Sequence, residues 1–193
     1  MNRRPDPPAT DLAALAYAGA HGDRDALSHL IRATQQDVAR FLARLSAPAD
    51  VADLTQETYL RAIKALPGFS GRSSVRTWLF AIARRVAADH VRTVVRRPRL
   101  AAIAEWRQDP DTAGPRGRHR FDEYHALTDL LDRLDPERRE AFLLTQVAGL
   151  SYAEAADACD CPVGTIRSRV ARARADLVSA LHDRDRGPRT AVS

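Results

Sequence analysis

Thr165, Arg167, Ser168, Arg169, Ala171, Arg172 and Arg174 sit close together in the chain, and the chemistry they offer is hydrogen bonding to nucleic acid. An arginine fork can grip a guanine edge through two bonds, worth roughly 1–3 kcal/mol of discrimination against a wrong base. Hydroxyls and further arginines suit phosphate oxygens. At about 100° per residue, Gly164, Thr165, Ser168, Ala171, Arg172 and Ala175 share one side of a helix. Most are small, so such a helix could approach base edges closely. Arg167, Arg169 and Arg174 lie on the flanks, suited to phosphates or outer bases. Ile166, Val170, Ala173 and Leu177 fall within about 60° of one another on the other side, as a buried stripe requires.

That helix needs a scaffold, and Leu150–Leu177 (LSYAEAADACDCPVGTIRSRVARARADL) supplies one. Ser151 can cap a first helix, with Glu154 three residues on reaching back in a capping box. Cys159-Asp160-Cys161 leaves that helix. Pro162 restarts one at the first helical position, where a missing N–H costs nothing. Two short helices across a tight turn are the layout of a helix-turn-helix that lays its second helix in the DNA major groove. An arginine-rich amphipathic helix can also be a merely solvated face. That reading does not account for the capping box, the turn, the proline start and the small-residue face together.

The 193 residues suffice for one domain or two small ones, and the net charge of +5 favours a polyanionic partner. Lys64 is the only lysine among 30 basic residues, so placement of arginine says more than its number. Met1–Thr10 is polar and proline-rich, unlike a secretory signal. No apolar run approaches the roughly 20 residues that cross a bilayer, so no membrane role and a reducing cytoplasm are expected. Cys159 and Cys161 read as apolar packing at the turn, because His119, His125 and His182 are too scattered to complete a zinc site. No metal, cofactor or catalytic residue is expected, for want of an HExxH, P-loop, nucleophile elbow or glycine-rich dinucleotide motif.

Periodicity predicts an all-α fold of two small helical domains on a flexible linker, the C-terminal one a helix-turn-helix. The first domain spans 11–97, with helices near Asp11–Ala20, Asp25–Leu45, Asp50–Leu66 and Val75–Val95, the third introduced by Pro48 and a cap at Asp50. The linker covers 98–120, marked by Pro98, Pro110, Gly114, Pro115 and Gly117, with room for a short helix at Leu100–Trp106. The second domain covers 121–182. It opens with a helix at Phe121–Leu134 and another capped by Asp135-Pro136, and a frayed tail follows it.

Two helices of the first domain carry further signals. The third should bury Val51, Thr55, Tyr59, Ala62 and Leu66, leaving Asp53, Gln56, Glu57, Leu60 and Lys64 outside. Leu60 amid polar neighbours is either an ordinary exposed leucine or the apolar centre of a protein-docking face. On the fourth, Arg76, Arg84, Arg85, Arg92, Arg96 and Arg97 line up, while Leu79, Ile82, Ala83 and Val86 form its core side. Trp78 and Phe80 flank that core beside the polar loop Phe69–Ser74 (FSGRSS). Cations, rings and a pliable loop suit single-stranded nucleic acid, although either ring could simply be core.

Asp53-Leu54-Thr55-Gln56-Glu57-Thr58-Tyr59-Leu60-Arg61 resembles the Asp-x-x-Gln-Glu-(Thr/Val)-Phe signature of bacterial sigma-70-family factors of the extracytoplasmic function (ECF) type. Phe69 and Ser74, then Thr77-Trp78-Leu79 and Ile82-Ala83-Arg84, resemble the family's next block. Cys161-Pro162-x-Gly164-Thr165-Ile166-Arg167-Ser168-Arg169 resembles its minus-35 reader. Within the family, the run is most similar to the actinobacterial group C members. The resemblance implies that Asp53, Gln56, Glu57 and Leu60 dock on the clamp coiled coil of core RNA polymerase. It implies that Phe69, Ser70, Arg72, Ser73, Ser74, Trp78, Arg84 and Arg85 hold a melted minus-10 strand. It puts Arg167, Ser168, Ala171 and Arg172 against double-stranded minus-35 bases, with Thr165, Arg169 and Arg174 nearer phosphates. The linker would thread toward the RNA-exit path, and an anti-sigma factor is a possible partner. Arg85 stands where many relatives have Asn, which changes the minus-10 chemistry. Two other readings compete: a stand-alone helix-turn-helix regulator, which would need a dimer and a palindromic site, and a nuclease, which would need a metal-carboxylate cluster.

Overall fold

The computed structural model describes residues 11–96 and 129–185, and these are helices and their connections. The linker at 98–120, the helix expected at Leu100–Trp106, the first part of that at Phe121–Leu134, and both chain ends lie outside the described residues. In order, the helices are α1 (Leu12–Ala20), α2 (Arg24–Leu42), α3 (Val51–Ala65), α4 (Val75–Arg96), α5 (Pro136–Gln146), α6 (Tyr152–Cys159) and α7 (Val163–Asp185). Short 3-10 turns, Pro48–Asp50 and Leu66–Gly68, flank α3. Residues 129–132 end a further helix just before α5.

Caps set most of these boundaries. The Asp11 carboxylate accepts from the Ala13 and Ala14 amides, and Asp23 from Asp25 and Ala26. Asp135 accepts from Glu137 and Arg138, with Pro136 at the first position of α5. The capping box at Ser151 is complete: Ser151 Oγ accepts from Glu154 N at 3.2 Å, and Glu154 Oε2 accepts from Ser151 N at 2.9 Å. Asp50 departs from expectation, since its side chain makes no cap bond. The 3-10 turn delivers Asp50 already in helical conformation, which is not the extended geometry of an N-cap. Its carboxylate faces His90 Nε2 of α4 instead, at 3.1 Å.

Around one contiguous core pack Phe41 and Phe80, edge to face with centroids 5.3 Å apart, and the aliphatic side chains of all seven helices. Leu79, Ile82, Ala83 and Val86 of α4 are buried as expected, and Phe80 joins them. The stripe on α3 is rotated from the expected one. Leu54, Thr58, Tyr59, Ala62 and Leu66 are buried, while Val51 and Thr55 are half-buried. The cause is two-sided packing, since α2 and α4 both lie against α3. Thr58 enters the core because its hydroxyl donates to Leu54 O at 2.7 Å, which satisfies a polar atom that would otherwise be costly to bury. Tyr59 stands at the signature's Phe position, and its hydroxyl pairs with Thr34 Oγ1 at 2.7 Å inside the core.

Candidate nucleic-acid interface

The helix-turn-helix is α6, a turn, and α7. Asp160 makes the turn in left-handed conformation, φ 53°, a strain that Asp tolerates better than most residues. Pro162 directly precedes α7, and its carbonyl accepts from Thr165 N at 2.9 Å. Ile166, Val170 and Ala173 are fully buried, and Leu177 is half-buried. Arg167, Ser168, Ala171, Arg172 and Arg174 are exposed, and Thr165 is half-buried. The exposed face therefore holds the small residues and long donors together.

Three of the residues expected to meet minus-35 DNA are already engaged. Arg169 is only 22% exposed and is ion-paired with Glu137 of α5, with Nη1 3.9 Å from Cys161 Sγ. Ser168 Oγ donates back to Thr165 O at 2.9 Å, which leaves its oxygen as an acceptor. Arg174 reaches Gln146 Oε1 at 3.3 Å from an exposed position, and Arg138 ties α5 to Asp176 of α7 at 2.7 Å. Cys159 is buried, and burial pushes its thiol up to about 12. It is an inert packing group at neutral pH.

In the FSGRSS loop, Gly71 adopts φ +70°, a turn that a side chain would strain. Phe69 and Trp78 are half-buried, their rings tilted at 5.0 Å between centroids. Ser70, Arg72, Ser74 and Arg85 are exposed and Ser73 is half-buried. Ser74 Oγ accepts from Thr77 N at 3.1 Å, a cap bond at the start of α4.

The loop and α4 face the helix-turn-helix. Ser74 and Thr77 donate to Glu154 Oε1 at 3.1 and 3.3 Å. Hydrogen bonds, from the Ser151 backbone first, hold the Glu154 carboxyl below its ordinary range. Arg84 donates to the Ala158 and Cys159 carbonyls, both at 3.4 Å, and lies 3.5 Å from Glu140 of α5. Burial pushes Glu140 up, against the pull of Arg84. Arg76 bridges Asp37 at 2.5 Å and Ala148 O at 3.0 Å. A polar cleft of about 720 Å³ separates Arg72 and Ser73 from Asp157, Asp160 and Pro162. Ser74 and Arg84 are thus bound to the C-terminal half, while Arg72 and Arg85 remain open to solvent.

On α3, Asp53 and Gln56 are exposed, Glu57 is partly exposed, and Leu60 is 46% exposed at their centre. Ile63, 38% exposed and one turn beyond Leu60, enlarges this apolar spot. Its signal was present as an i, i+3 apolar pair that the assumed core stripe did not include. Among the described residues no group of His, Cys, Asp and Glu could hold a metal ion, and no helix is long and apolar enough to cross a membrane.

Residues 30–97 match the family described as Sigma-70 region 2, and residues 124–177 match Sigma-70, region 4. The "Probable RNA polymerase sigma-C factor" of Mycobacterium bovis is 54% identical over 166 residues, 86% of this chain and 89% of that protein. The "ECF RNA polymerase sigma-E factor" of Escherichia coli is 33% identical over 79% of this chain and 85% of its own length. Among solved structures, CnrH in complex with the cytosolic domain of CnrY superposes with a TM-score of 0.71 at 28% identity, over 91% of this chain and 98% of that one. The chain belongs to the sigma-70 family and is a sigma factor of the ECF type. Sigma factors are transcription initiation factors. The match to region 2 across the N-terminal half leaves no support for a stand-alone helix-turn-helix regulator.

Proposed function

We propose that this ECF sigma factor divides promoter recognition and polymerase docking among three surfaces. Asp53, Gln56, Glu57 and Leu60 on α3 grip core RNA polymerase. Phe69, Ser70, Arg72, Ser73, Ser74, Trp78, Arg84 and Arg85 hold the melted minus-10 strand, with Phe69 and Trp78 as the ring platform. Thr165, Arg167, Ser168, Ala171, Arg172 and Arg174 read duplex minus-35 DNA, with Arg169 orienting α7 through Glu137. The functional units run 11–97 and 121–182, with 98–120 as the connection. The polymerase makes the bonds; this chain contributes no catalytic group and acts in the cytoplasm, where its template lies. An anti-sigma factor is a further partner in this reading, covering the α3 face around exposed Leu60.

The observation that carries this reading is the exposed face of α7, whose donors stand opposite a stripe of fully buried Ile166, Val170 and Ala173. Run-off transcription with purified core enzyme on a genomic promoter library tests it. Specific initiation should require this chain, with footprints that appear only in the holoenzyme. Leu60→Glu should abolish core binding while leaving the fold intact. Equal footprints with and without core polymerase would count against the proposal.

A further inference from the structure

Arg61 follows the docking residues along α3, and its guanidinium is shared between two helices. Nε donates to Glu57 Oε1 at 2.7 Å, and Nη1 donates to Asp89 Oδ2 of α4, also at 2.7 Å. Arg92, one turn further along α4, takes the other oxygen of Asp89. The result is a chain of alternating charge, Glu57–Arg61–Asp89–Arg92, running from the docking face of α3 to the arginine row of α4. Each of Glu57, Arg61 and Asp89 remains more than a third exposed. Pairs so exposed contribute little to stability, so the network has little to do for the fold itself. Its consequence is geometric. A glutamate on a free helix surface samples several rotamers; one held by a planar fork, itself anchored at its other end, samples fewer.

We propose that Arg61 is a positioning residue for polymerase docking, which rests on the reading of α3 given above. Anchored on Asp89, it holds one oxygen of the Glu57 carboxylate while the side chain stays 44% exposed, on the helix that also carries exposed Gln56 and Leu60. A preset carboxylate loses less freedom when a cationic partner surface takes it. The partner chemistry this selects is a basic, apolar-centred protein surface. The pairing also joins the polymerase-facing helix to the helix proposed to hold the melted strand.

Arg61 does not have to touch the polymerase for this to hold, and Asp89 makes that testable. Affinity of the full-length chain for purified core polymerase should fall about fivefold in Arg61→Ala, the order expected when a side chain must be immobilised on binding rather than beforehand. Arg61→Lys should fall by a similar factor, because an ammonium lacks the fork that spans both carboxylates. Asp89→Asn, on another helix, should reproduce the defect, and Arg61→Ala/Asp89→Asn should be no worse than Arg61→Ala alone. Melting midpoints should stay within about 2 °C of the parent, as exposed substitutions do. Wild-type core affinity in Arg61→Ala, with Leu60→Glu impaired, would overturn the positioning role and leave the docking face standing. Wild-type affinity in Leu60→Glu would remove the docking face itself. A normal Asp89→Asn beside a defective Arg61→Ala would make Arg61 a direct contact and also overturn the proposal.

Discussion

Arg172 and Arg169 lie three residues apart on one helix, and substituting each should produce opposite phenotypes. Arg172 is exposed and makes no hydrogen bond or ion pair with the described residues. Its removal deletes no hydrogen bond or ion pair among the described residues, so the melting midpoint of Arg172→Ala should stay within about 1 °C of the parent. If Arg172 reads a base edge, one bidentate pair is lost, roughly 1–3 kcal/mol, or a factor of about 5–150 in preference. The assay is competitive run-off transcription from promoters altered one base pair at a time through the minus-35 element. Preference should collapse at one position and persist at the others. Arg169 is held by Glu137 and largely covered. Arg169→Ala removes one of the ties between α7 and α5, with Arg138–Asp176 and the shared core remaining; it should lower the midpoint by roughly 1–3 °C and weaken all promoters evenly. Full retention of preference at every position by Arg172→Ala would refute the assignment of the reading face. So would relaxation of a single position by Arg169→Ala.

Other outcomes follow from buried groups. Tyr59→Phe should cost about 0.5–1.5 kcal/mol by chemical denaturation; Thr34 keeps its bond to Leu30 O, so a loss well beyond that range would contradict the local geometry. Cys159, its thiol pushed up to about 12, should resist alkylation in the native protein at pH 8 while half-buried Cys161 reacts, as mass spectrometry of digested peptides can show.

Much of this architecture was legible because the signals were local. Asp135-Pro136 and the Ser151/Glu154 box mark helix starts through bonds made within a few residues, and the structure closes both. The α7 stripe was legible because Ile166, Val170 and Ala173, spaced by three or four residues, are the residues that α5 and α6 together bury. On α3, periodicity gave the wrong centre for the stripe. Nothing in the segment announces that α2 and α4 cover it from two directions, and the Thr58 hydroxyl can be buried only because Leu54 O accepts it. Asp50 looked like a cap because its role in pairing with His90 depends on a residue 40 positions away. The same limit explains Arg84 and Arg169. Sequence presents both as free cations, whereas their partners, Glu140 and Glu137, come from a helix far along the chain.

The closed meeting of the two halves has a cost at its centre. Glu140 lies at the junction, its side chain 19% exposed beside Arg84, and burial raises its carboxyl above the ordinary range despite that neighbour. A carboxyl raised by folding adds stability below its unfolded pKa and loses it as pH rises through the folded value. At neutral pH the charged, desolvated Glu140 therefore opposes the arrangement that contains it. Removing one member of a buried pair ordinarily strands the other, but Arg84 also has the Ala158 and Cys159 carbonyls. Glu140→Gln should consequently raise the melting midpoint at pH 7.5 by about 2 °C, and the difference should vanish near pH 4, where the parent carboxyl is protonated too. The same substitution gives up the ion pair with Arg84, a residue proposed to grip the melted strand, but stabilises the junction that holds it. Initiation should slow where opening of the closed form precedes promoter engagement, even though the protein is more stable. A lower midpoint at pH 7.5 would show that attraction to Arg84 outweighs burial, reversing the sign of the whole effect.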